Sequence, residues 1–197
     1  MYRLSVSLIT AAIITTINCG LQVCLQKYRR LNVDPLVDIV HQHFELSPRM
    51  SFWAEAFCNV WPFAMSFLVH AIIDASHLEC TSMTLVAVML IRAFCCFATT
   101  LPLIKRNSRS LLLQSVIGGN GDLYVSGHVA FALTLSLVLW RSHPIVSVFC
   151  SSITLLLLAP LKVLTRKHYT NDVLVAIFVV LSVMHFHNVC ISGEATD

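Results

Sequence analysis

Six apolar stretches constrain the fold of this chain more than any other feature, because each is close to the length of a membrane-spanning helix. They occupy residues 4–26, 52–73, 83–104, 124–140, 144–164 and 171–190. An α-helix needs about 20 mostly apolar residues to cross a bilayer. No linker rich in glycine or serine divides the stretches into separate groups. We therefore predict an all-α fold, a polytopic membrane protein in which residues 1–197 form one bundle of six transmembrane helices.

The composition supports this class and excludes several others. Hydrophobic residues make up 57% of the chain and charged residues 12%, whereas soluble domains average about 45–50% and about 25%. The formal net charge of +3 is too small to indicate a nucleic-acid partner. Most of the eight cysteines lie within apolar runs, where cysteine behaves as a small hydrophobic residue. We therefore do not expect a disulfide framework.

The basic residues are distributed unevenly between the two sides of the predicted bundle. The loops after spans one, three and five share one side, which we call the odd-loop face. This face carries nine basic residues outside the spans: Lys27, Arg29, Arg30, Arg49, Lys105, Arg106, Arg109, Arg166 and Lys167. The opposite face carries Arg3 and Arg141. Because cytoplasmic loops carry an excess of lysine and arginine, charge alone predicts a cytosolic odd-loop face.

Two histidines and an aspartate form the most informative constellation in the sequence. His128 lies at the entrance to the fourth span and His168 at the entrance to the sixth, so the chain returns both to the odd-loop face. Asp172 follows His168 by four residues, a spacing at which side chains on a helix are neighbours. A carboxylate on one ring nitrogen fixes the tautomer and makes the other nitrogen a better nucleophile or base.

This constellation suits a displacement at phosphorus at the membrane–water boundary. One histidine attacks the phosphorus to form a phosphohistidine, and the other protonates the leaving alkoxide and then deprotonates the incoming hydroxyl. Gly127 lets the backbone approach a phosphoryl group, and Ser126, Arg166 and Lys167 are candidates to bind its oxygens. Since such groups and helix amides offset phosphoryl charge, we expect neither a metal ion nor another cofactor.

Simpler explanations exist for some of these residues. His128 and His168 are also explained if they only hydrogen-bond backbone groups at helix entrances. Arg92 lies in the middle of the third span, where an ionisable residue is a functional candidate. It either has a structural role, snorkelling to the membrane interface or pairing with a carboxylate on a neighbouring helix, or it clamps a phosphate at the edge of a cavity. The sequence leaves these alternatives open.

Four segments in one order carry a resemblance to a known family. G-D-L-Y-V-S-G-H-V at 121–129 is similar to C-G-D-x-x-x-S-G-H-T, and H-Y-T-N-D-V-L-V-A at 168–176 to H-Y-T-x-D-V-x-x-A. D-P-L-V-D at 34–38 resembles a P-L-P-D element, and residues 92–102 resemble an arginine followed by T-x-L-P. These motifs are those of the sphingomyelin synthase family, a branch of the membrane phosphatidic acid phosphatase superfamily. The chain departs from them at Asn120, where the family has cysteine, and at Val129, where it has threonine.

The resemblance implies roles for individual residues of a single transmembrane catalytic domain. His168 is the expected nucleophile, oriented by Asp172, and His128 is the expected general acid and base. Asp122 and Tyr169 belong to the matching segments. They complete the expected phosphate-binding set, which also contains Ser126, Gly127, Arg92, Arg166 and Lys167.

The resemblance also implies a transferase acting on membrane lipids. It would move phosphocholine, phosphoethanolamine or phosphoinositol from a glycerophospholipid to ceramide and release diacylglycerol. The alternatives are a phosphatidylcholine:diacylglycerol cholinephosphotransferase-like enzyme, a lipid phosphate phosphatase, and a structural or transport bundle without catalysis. The K-x6-R-P block of the phosphatase branch is absent from the sequence, which weakens the phosphatase alternative.

Loop charge and the family resemblance predict opposite sides of the membrane for the active site. The resemblance implies a lumenal or exoplasmic site in the Golgi, the endoplasmic reticulum or the plasma membrane, whereas loop charge predicts a cytosolic one. We favour the lumenal or exoplasmic side, because the basic loops are also explained by phosphate binding.

Overall fold

The fold is helical throughout the part of the chain that the computed structural model describes, residues 9–10, 12–14, 16–17, 38–98 and 125–193. The helices are α1 (Ile39–His43), α2 (Pro48–Ile72), α3 (Ala75–Ala98), α4 (Gly127–Val138), α5 (Pro144–Ile153), α6 (Ala159–Leu164) and α7 (Thr170–Gly193). A π-helical segment, Thr154–Leu158, joins α5 to α6. We call the continuous helix 144–164 the α5–α6 rod. The predicted all-α class is confirmed for these residues.

The prediction of six spans is established only in part. Three helices of the described chain are long and apolar enough to cross a membrane: Pro48–Ile72, His77–Cys95 and Pro144–Leu164. Gly127–Val138 and Thr170–Phe186 are apolar but shorter. Of the predicted first span, 4–26, only residues 9–10, 12–14 and 16–17 are described, and they are helical. The end of the predicted third span, 99–104, lies outside the described residues.

Helix starts differ from the predicted spans where a capping residue precedes the apolar run. Helix α2 begins at Pro48 rather than at residue 52, because Ser47 Oγ accepts a hydrogen bond from the Met50 amide at 3.4 Å and proline is favoured in a first turn. Helix α4 begins at Gly127, with Ser126 as its N-cap residue. His128 is therefore the second residue of that helix.

The π-helical segment precedes a proline inside the α5–α6 rod. Pro160 lacks an amide hydrogen, and its ring clashes with the carbonyl four residues earlier in a regular α-helix, so the wider π turn relieves the conflict. Thr154 opens this turn and donates a hydrogen bond to the Cys150 carbonyl at 2.9 Å. The Trp61 indole on α2 donates to the Thr154 hydroxyl at 3.0 Å. The turn thereby fixes the rod against α2.

Helix α4 forms the centre of the bundle. It packs against α2, α3, α5, the π segment and α7, and its side chains are buried on all sides, from Val129 through Ser136 apart from the half-buried Phe131. Its hydroxyl groups are satisfied within the helix, since Thr134 and Ser136 donate to carbonyls four residues earlier at 2.8 Å. A central helix of this kind can present its first turn to neighbours on several sides.

The outward faces of the long helices are apolar. Phe67 on α2 is 78% exposed, Ile145 on α5 is 84% exposed, and Phe178 on α7 is 76% exposed. Large apolar side chains exposed in such numbers mark a surface that contacts something other than water. Together with the three long apolar helices, they fit a membrane protein with lipid-facing helix surfaces.

Candidate active site

The beginnings of α4 and α7 meet in the structure. The Ser126 amide donates a hydrogen bond to the Asp172 carbonyl at 3.1 Å. This contact brings the first turn of α4, which carries His128, beside the first turn of α7, which carries Asp172. Two helices separated by the α5–α6 rod therefore place the two predicted histidine segments at the same end of the bundle.

His168 and Asp172 form a buried pair. His168 Nδ1 lies 3.2 Å from Asp172 Oδ2, and the two side chains are 8% and 0% exposed. The same carboxylate oxygen accepts a hydrogen bond from the Tyr169 amide at 2.9 Å. An ionised carboxylate only accepts hydrogen bonds, so Nδ1 carries the proton in this contact. The lone pair of His168 then resides on Nε2, the nitrogen available for attack on an electrophile.

The surroundings of His168 keep its imidazole neutral. Burial lowers the pKa of His168 below the ordinary value, because a charged ring is poorly solvated there. The hydrogen bond and negative charge of Asp172 oppose this effect, whereas the positive charges of Lys162 and Arg92 reinforce it. The net effect is a lowered pKa, which leaves the ring in its nucleophilic form near neutral pH.

Arg92 reaches from α3 to the first turn of α4. It is 2% exposed, and its Nε donates a hydrogen bond to the Val125 carbonyl at 3.3 Å. A β-carbon at Gly127 would lie 2.8 Å from Nε and 2.9 Å from Cζ of this side chain. Glycine at 127 thus leaves space for the guanidinium, which lies one residue from His128. The structure places Arg92 at the candidate site and gives its guanidinium a carbonyl contact.

Four charged or titratable groups surround His128. The half-buried His128 lies within electrostatic range of Lys162, His168, Arg92 and Lys167. Two buried cationic side chains and two imidazoles therefore share one end of the bundle. Such a cluster provides a favourable environment for a phosphoryl group.

Two buried oxygens at this place have no hydrogen-bond partner among the described residues: Ser126 Oγ and Asp172 Oδ1. Both residues are fully buried, and an unsatisfied buried polar atom costs about 1–3 kcal/mol. Ser126 is the N-cap residue of α4 but makes no side-chain capping bond. Its hydroxyl is therefore available to donate to a ligand oxygen.

The remaining predicted phosphate ligands have other partners or lie elsewhere. Arg166 Nη2 donates to the His41 carbonyl at 3.1 Å. Lys167 Nζ lies 3.2 Å from the carboxylate of Glu55 on α2. The Tyr169 ring packs against the His41 ring, with centroids 5.7 Å apart. Asp122 lies outside the described residues.

Lys162 is a site residue that the sequence reasoning missed. It is a lysine in the apolar α5–α6 rod, it is 4% exposed, and its charge reaches both His128 and His168. Its backbone carbonyl also accepts hydrogen bonds from the Lys167 and His168 amides at 3.2 Å and 3.3 Å. The signal was present, since an ionisable residue within an apolar span is a functional candidate by default.

The sequence analysis included Asp38 only as part of a family-like motif and gave it no role. Its carboxylate accepts hydrogen bonds from the Thr170 amide at 2.7 Å and from the Thr170 hydroxyl at 3.2 Å.

Among the described residues, no group of three or more histidine, cysteine or acidic side chains is placed to hold a metal ion.

Comparison with protein families gives a match over part of the chain. Residues 119–189 match the family model described as PAP2 superfamily C-terminal, and no curated protein matches the chain. The matched region covers a little over a third of the chain and contains Ser126, Gly127, His128, His168 and Asp172. The match supports a relationship to the phosphatidic acid phosphatase superfamily and does not extend to any one of its branches.

Proposed function

We propose that this protein is a sphingolipid synthase-type transferase that moves a phospho-substituted headgroup between membrane lipids through a phosphohistidine. The observation that carries the proposal is the buried His168–Asp172 pair at the start of α7, hydrogen-bonded through the Asp172 carbonyl to the start of α4 beside His128. The family match supports phosphoryl-transfer chemistry on lipids in general terms.

In the first step, Nε2 of neutral His168 attacks the phosphorus of a glycerophospholipid. The new N–P bond forms as the bond between phosphorus and the diacylglycerol oxygen breaks. Protonated His128 donates a proton to the leaving alkoxide, which departs as diacylglycerol. Asp172 holds Nδ1–H and stabilises the positive charge that develops on the His168 ring.

In the second step, neutral His128 removes the proton from the hydroxyl group of ceramide. The resulting oxygen attacks the phosphohistidine, the N–P bond breaks, and His168 returns to its neutral form. His128 is again protonated and ready for the next donor lipid. Both half-reactions therefore use the same two imidazoles in exchanged protonation states.

The phosphoryl oxygens bind to groups at the start of α4 in this proposal. Arg92, the hydroxyl of Ser126 and the first amides of α4 offset the negative charge, and Gly127 allows the close approach. Lys162 adds a positive charge that acts on both histidines. Asp122 remains a proposed member of the site. The contacts of Arg166, Lys167 and Tyr169 with His41 and Glu55 favour a supporting role for these three.

A transferase is favoured over a phosphatase by the four sphingomyelin synthase-like segments. The lipid phosphate phosphatase remains the second candidate, because the matching family model is that of the whole superfamily. In that case water takes the phosphoryl group from His168. A diacylglycerol acceptor, in place of ceramide, gives the cholinephosphotransferase-like variant of the same reaction.

We further propose that the site opens to the lumenal or exoplasmic side of the Golgi, the endoplasmic reticulum or the plasma membrane. A glycosylation acceptor sequence inserted beside Asp122 tests this orientation in cells. Modification of the insert is the expected result. A matched insert at the 141–143 turn, at the other end of α4, is expected to stay unmodified, and the reverse pattern would contradict the proposal.

A lipid assay on the purified protein in nanodiscs tests the activity. Labelled ceramide is supplied with phosphatidylcholine, phosphatidylethanolamine or phosphatidylinositol in turn, and charged sphingolipid and released phosphate are both measured. We expect a charged sphingolipid with one of the donors. Phosphate release without acceptor consumption would instead indicate the phosphatase.

Variants connect that activity to the site. His168→Ala and His128→Ala are expected to abolish transfer. The matched control is His143→Ala, because His143 is an exposed histidine at the opposite end of α4 with no side-chain capping bond. Full activity in either site variant would remove that histidine from the mechanism.

A further inference from the structure

Asp38 and helix α1 form a short segment, residues 38–43, that lies over the loop between α6 and α7. We call this segment the strap. Asp38 accepts from Thr170, and His41 Nε2 donates to the Val163 carbonyl at 3.0 Å. Arg166 returns a hydrogen bond to the His41 carbonyl at 3.1 Å. The strap thus contacts both ends of this loop. The residues that it contacts lie more than a hundred positions later in the sequence.

The loop itself is fixed through its backbone. Six consecutive amides, from Thr165 to Thr170, each donate a hydrogen bond. Their acceptors are, in chain order, the carbonyls of Leu161 and Val163, the carbonyl of Lys162 twice, Asp172 Oδ2 and Asp38 Oδ2. Five of these six hydrogen bonds have their acceptor within residues 161–172. Within the part of the chain that the structure describes, Asp38 is the one acceptor that ties this run of amides to another part of the fold.

The tie acts at the point where the loop becomes helix α7. Thr170 is the first residue of α7, and its amide is one of those that a helix leaves without an internal partner. The neighbouring Tyr169 amide binds the carboxylate of Asp172 at 2.9 Å. Two successive amides are thus held by two carboxylates, one from the pair with His168 and one from the strap.

The charge on Asp38 suits this contact. Burial disfavours the carboxylate, but the hydrogen bonds from Thr170 and Val40 outweigh it, so the pKa of Asp38 lies below its ordinary value. Asp38 Oδ1 also accepts from the Val40 amide at 2.9 Å and caps α1. One ionised carboxylate therefore binds the starts of two helices, and charge-assisted bonds of this kind are stronger than neutral ones.

We propose that Asp38 is a positioning residue for the reaction, one that sets the geometry of His168 and Asp172 through Thr170. This inference rests on the proposed function. Asp38 makes no described contact with the side chains of His168 or Asp172, and it acts by fixing the backbone between these two residues through Thr170. Removing its carboxylate releases the start of α7 while it leaves His168, Asp172 and His128 in the chain.

The kinetic test compares Asp38→Ala with Ser47→Ala in nanodiscs, with turnover corrected for the folded fraction. Ser47 caps α2 through the Met50 amide and is a matched control, because it removes a helix cap away from the loop. We expect Asp38→Ala to lower kcat by about tenfold or more with KM changed less than about twofold, since small misplacements of reacting groups are costly. Ser47→Ala is expected to stay near wild type, and equal kcat in the two variants would overturn the inference.

Two further variants separate positioning from folding. Asp38→Asn keeps one acceptor oxygen and is expected to recover part of the lost kcat. Thr170→Val removes only the hydroxyl contact, so adding it to Asp38→Ala should cause little further loss. A loss equal to the product of the two single effects would show that Asp38 does not act through the Thr170 hydroxyl, and would leave only the amide contact to carry its effect.

Hydrogen exchange supplies a readout that needs no activity. In Asp38→Ala, amides of the peptide 165–172 are expected to exchange about tenfold faster, as the loss of charge-assisted hydrogen bonds implies. In Ser47→Ala they should be unchanged. Unchanged exchange in Asp38→Ala overturns the positioning inference. The two proposals can fail separately. If the wild-type protein transfers no headgroup, the proposed function is contradicted. If exchange in 165–172 nevertheless becomes faster in Asp38→Ala, the contact between the strap and the loop remains established.

Discussion

The guanidinium of Arg92 lies across Gly127 so closely that a β-carbon on residue 127 would come within 2.8 Å of Nε. Arg92 approaches from α3 and Gly127 opens α4, so this contact couples the arginine to the backbone beside His128. The glycine is required here by the neighbouring side chain, since its backbone does not adopt the left-handed conformation.

Gly127→Ala tests this coupling. The methyl group displaces the guanidinium, which is the end of a flexible side chain, while alanine has a higher helix propensity than glycine. We therefore expect thermal stability to change little and kcat/KM to fall by about tenfold or more, because a preorganised cation is worth at least that much. Transfer assays and thermal unfolding measure the two effects. Arg92→Ala should cause a similar loss, and in the double variant the two losses should not multiply.

The pH dependence of transfer should report the His168–Asp172 pair. Because burial lowers the pKa of His168, the wild-type acid limb is expected below about pH 6.5, the unperturbed value for histidine. Asp172 raises the pKa of His168 through its hydrogen bond and charge, so Asp172→Asn should move the acid limb to still lower pH. Its kcat should also fall, by about 10²-fold or more. Profiles of kcat/KM against pH check both, and an acid limb that moves upward would contradict this assignment.

Lys162 should have the opposite effect on the same profile. Its positive charge lowers the pKa of His168, so Lys162→Met, which keeps most of the side-chain length, should move the acid limb to higher pH. Arg141→Met at the exposed turn after α4 is the control and should leave the profile in place. An unchanged profile in Lys162→Met would show that its charge does not reach the reacting imidazole.

The Lys167–Glu55 ion pair distinguishes a supporting role from phosphate binding. Its side chains are half-buried, 14% and 29% exposed, so water still reaches the pair and its contribution is expected to be on the order of 1 kcal/mol. We expect Lys167→Met and Glu55→Gln to lower stability by similar small amounts, with no further loss in the double variant and KM changed less than about twofold. Denaturant unfolding and lipid kinetics measure these quantities. A higher KM in Lys167→Met alone would return Lys167 to the phosphate-binding set.

Local sequence patterns located the long apolar helices, although not all of their first residues, and the central pair. Helix α2 begins at Pro48 after Ser47, four residues before the predicted span, whereas α5 begins at Pro144 as predicted. The four-residue spacing of His168 and Asp172 is read directly as a contact across one helical turn, and the structure has Nδ1 3.2 Å from Oδ2. These features depend only on residues that are close together in the sequence, so local sequence patterns are sufficient to predict them.

The side chains of Arg166 and Lys167 are oriented by a backbone turn that the residue types in the sequence did not predict. Arg166 has a φ of 55°, a left-handed conformation that residues other than glycine rarely adopt. The turn directs Arg166 toward His41 and Lys167 toward Glu55. The role of Asp38 was equally hidden, because its partner Thr170 lies 132 residues away. Contacts of this range come from the packing of whole helices.

Helix α4, which carries His128 in its first turn, is shorter than a bilayer is thick. Twelve residues make α4 about 18 Å long, against a hydrocarbon thickness of about 30 Å. Within the α5–α6 rod, α4 packs on α5 and the π segment, whereas α6 contacts α1, α2 and α7. His128 is half-buried in the first turn of α4. In the proposed reaction, this partial burial limits the access of bulk water to His128 and so favours transfer to a lipid alcohol over hydrolysis.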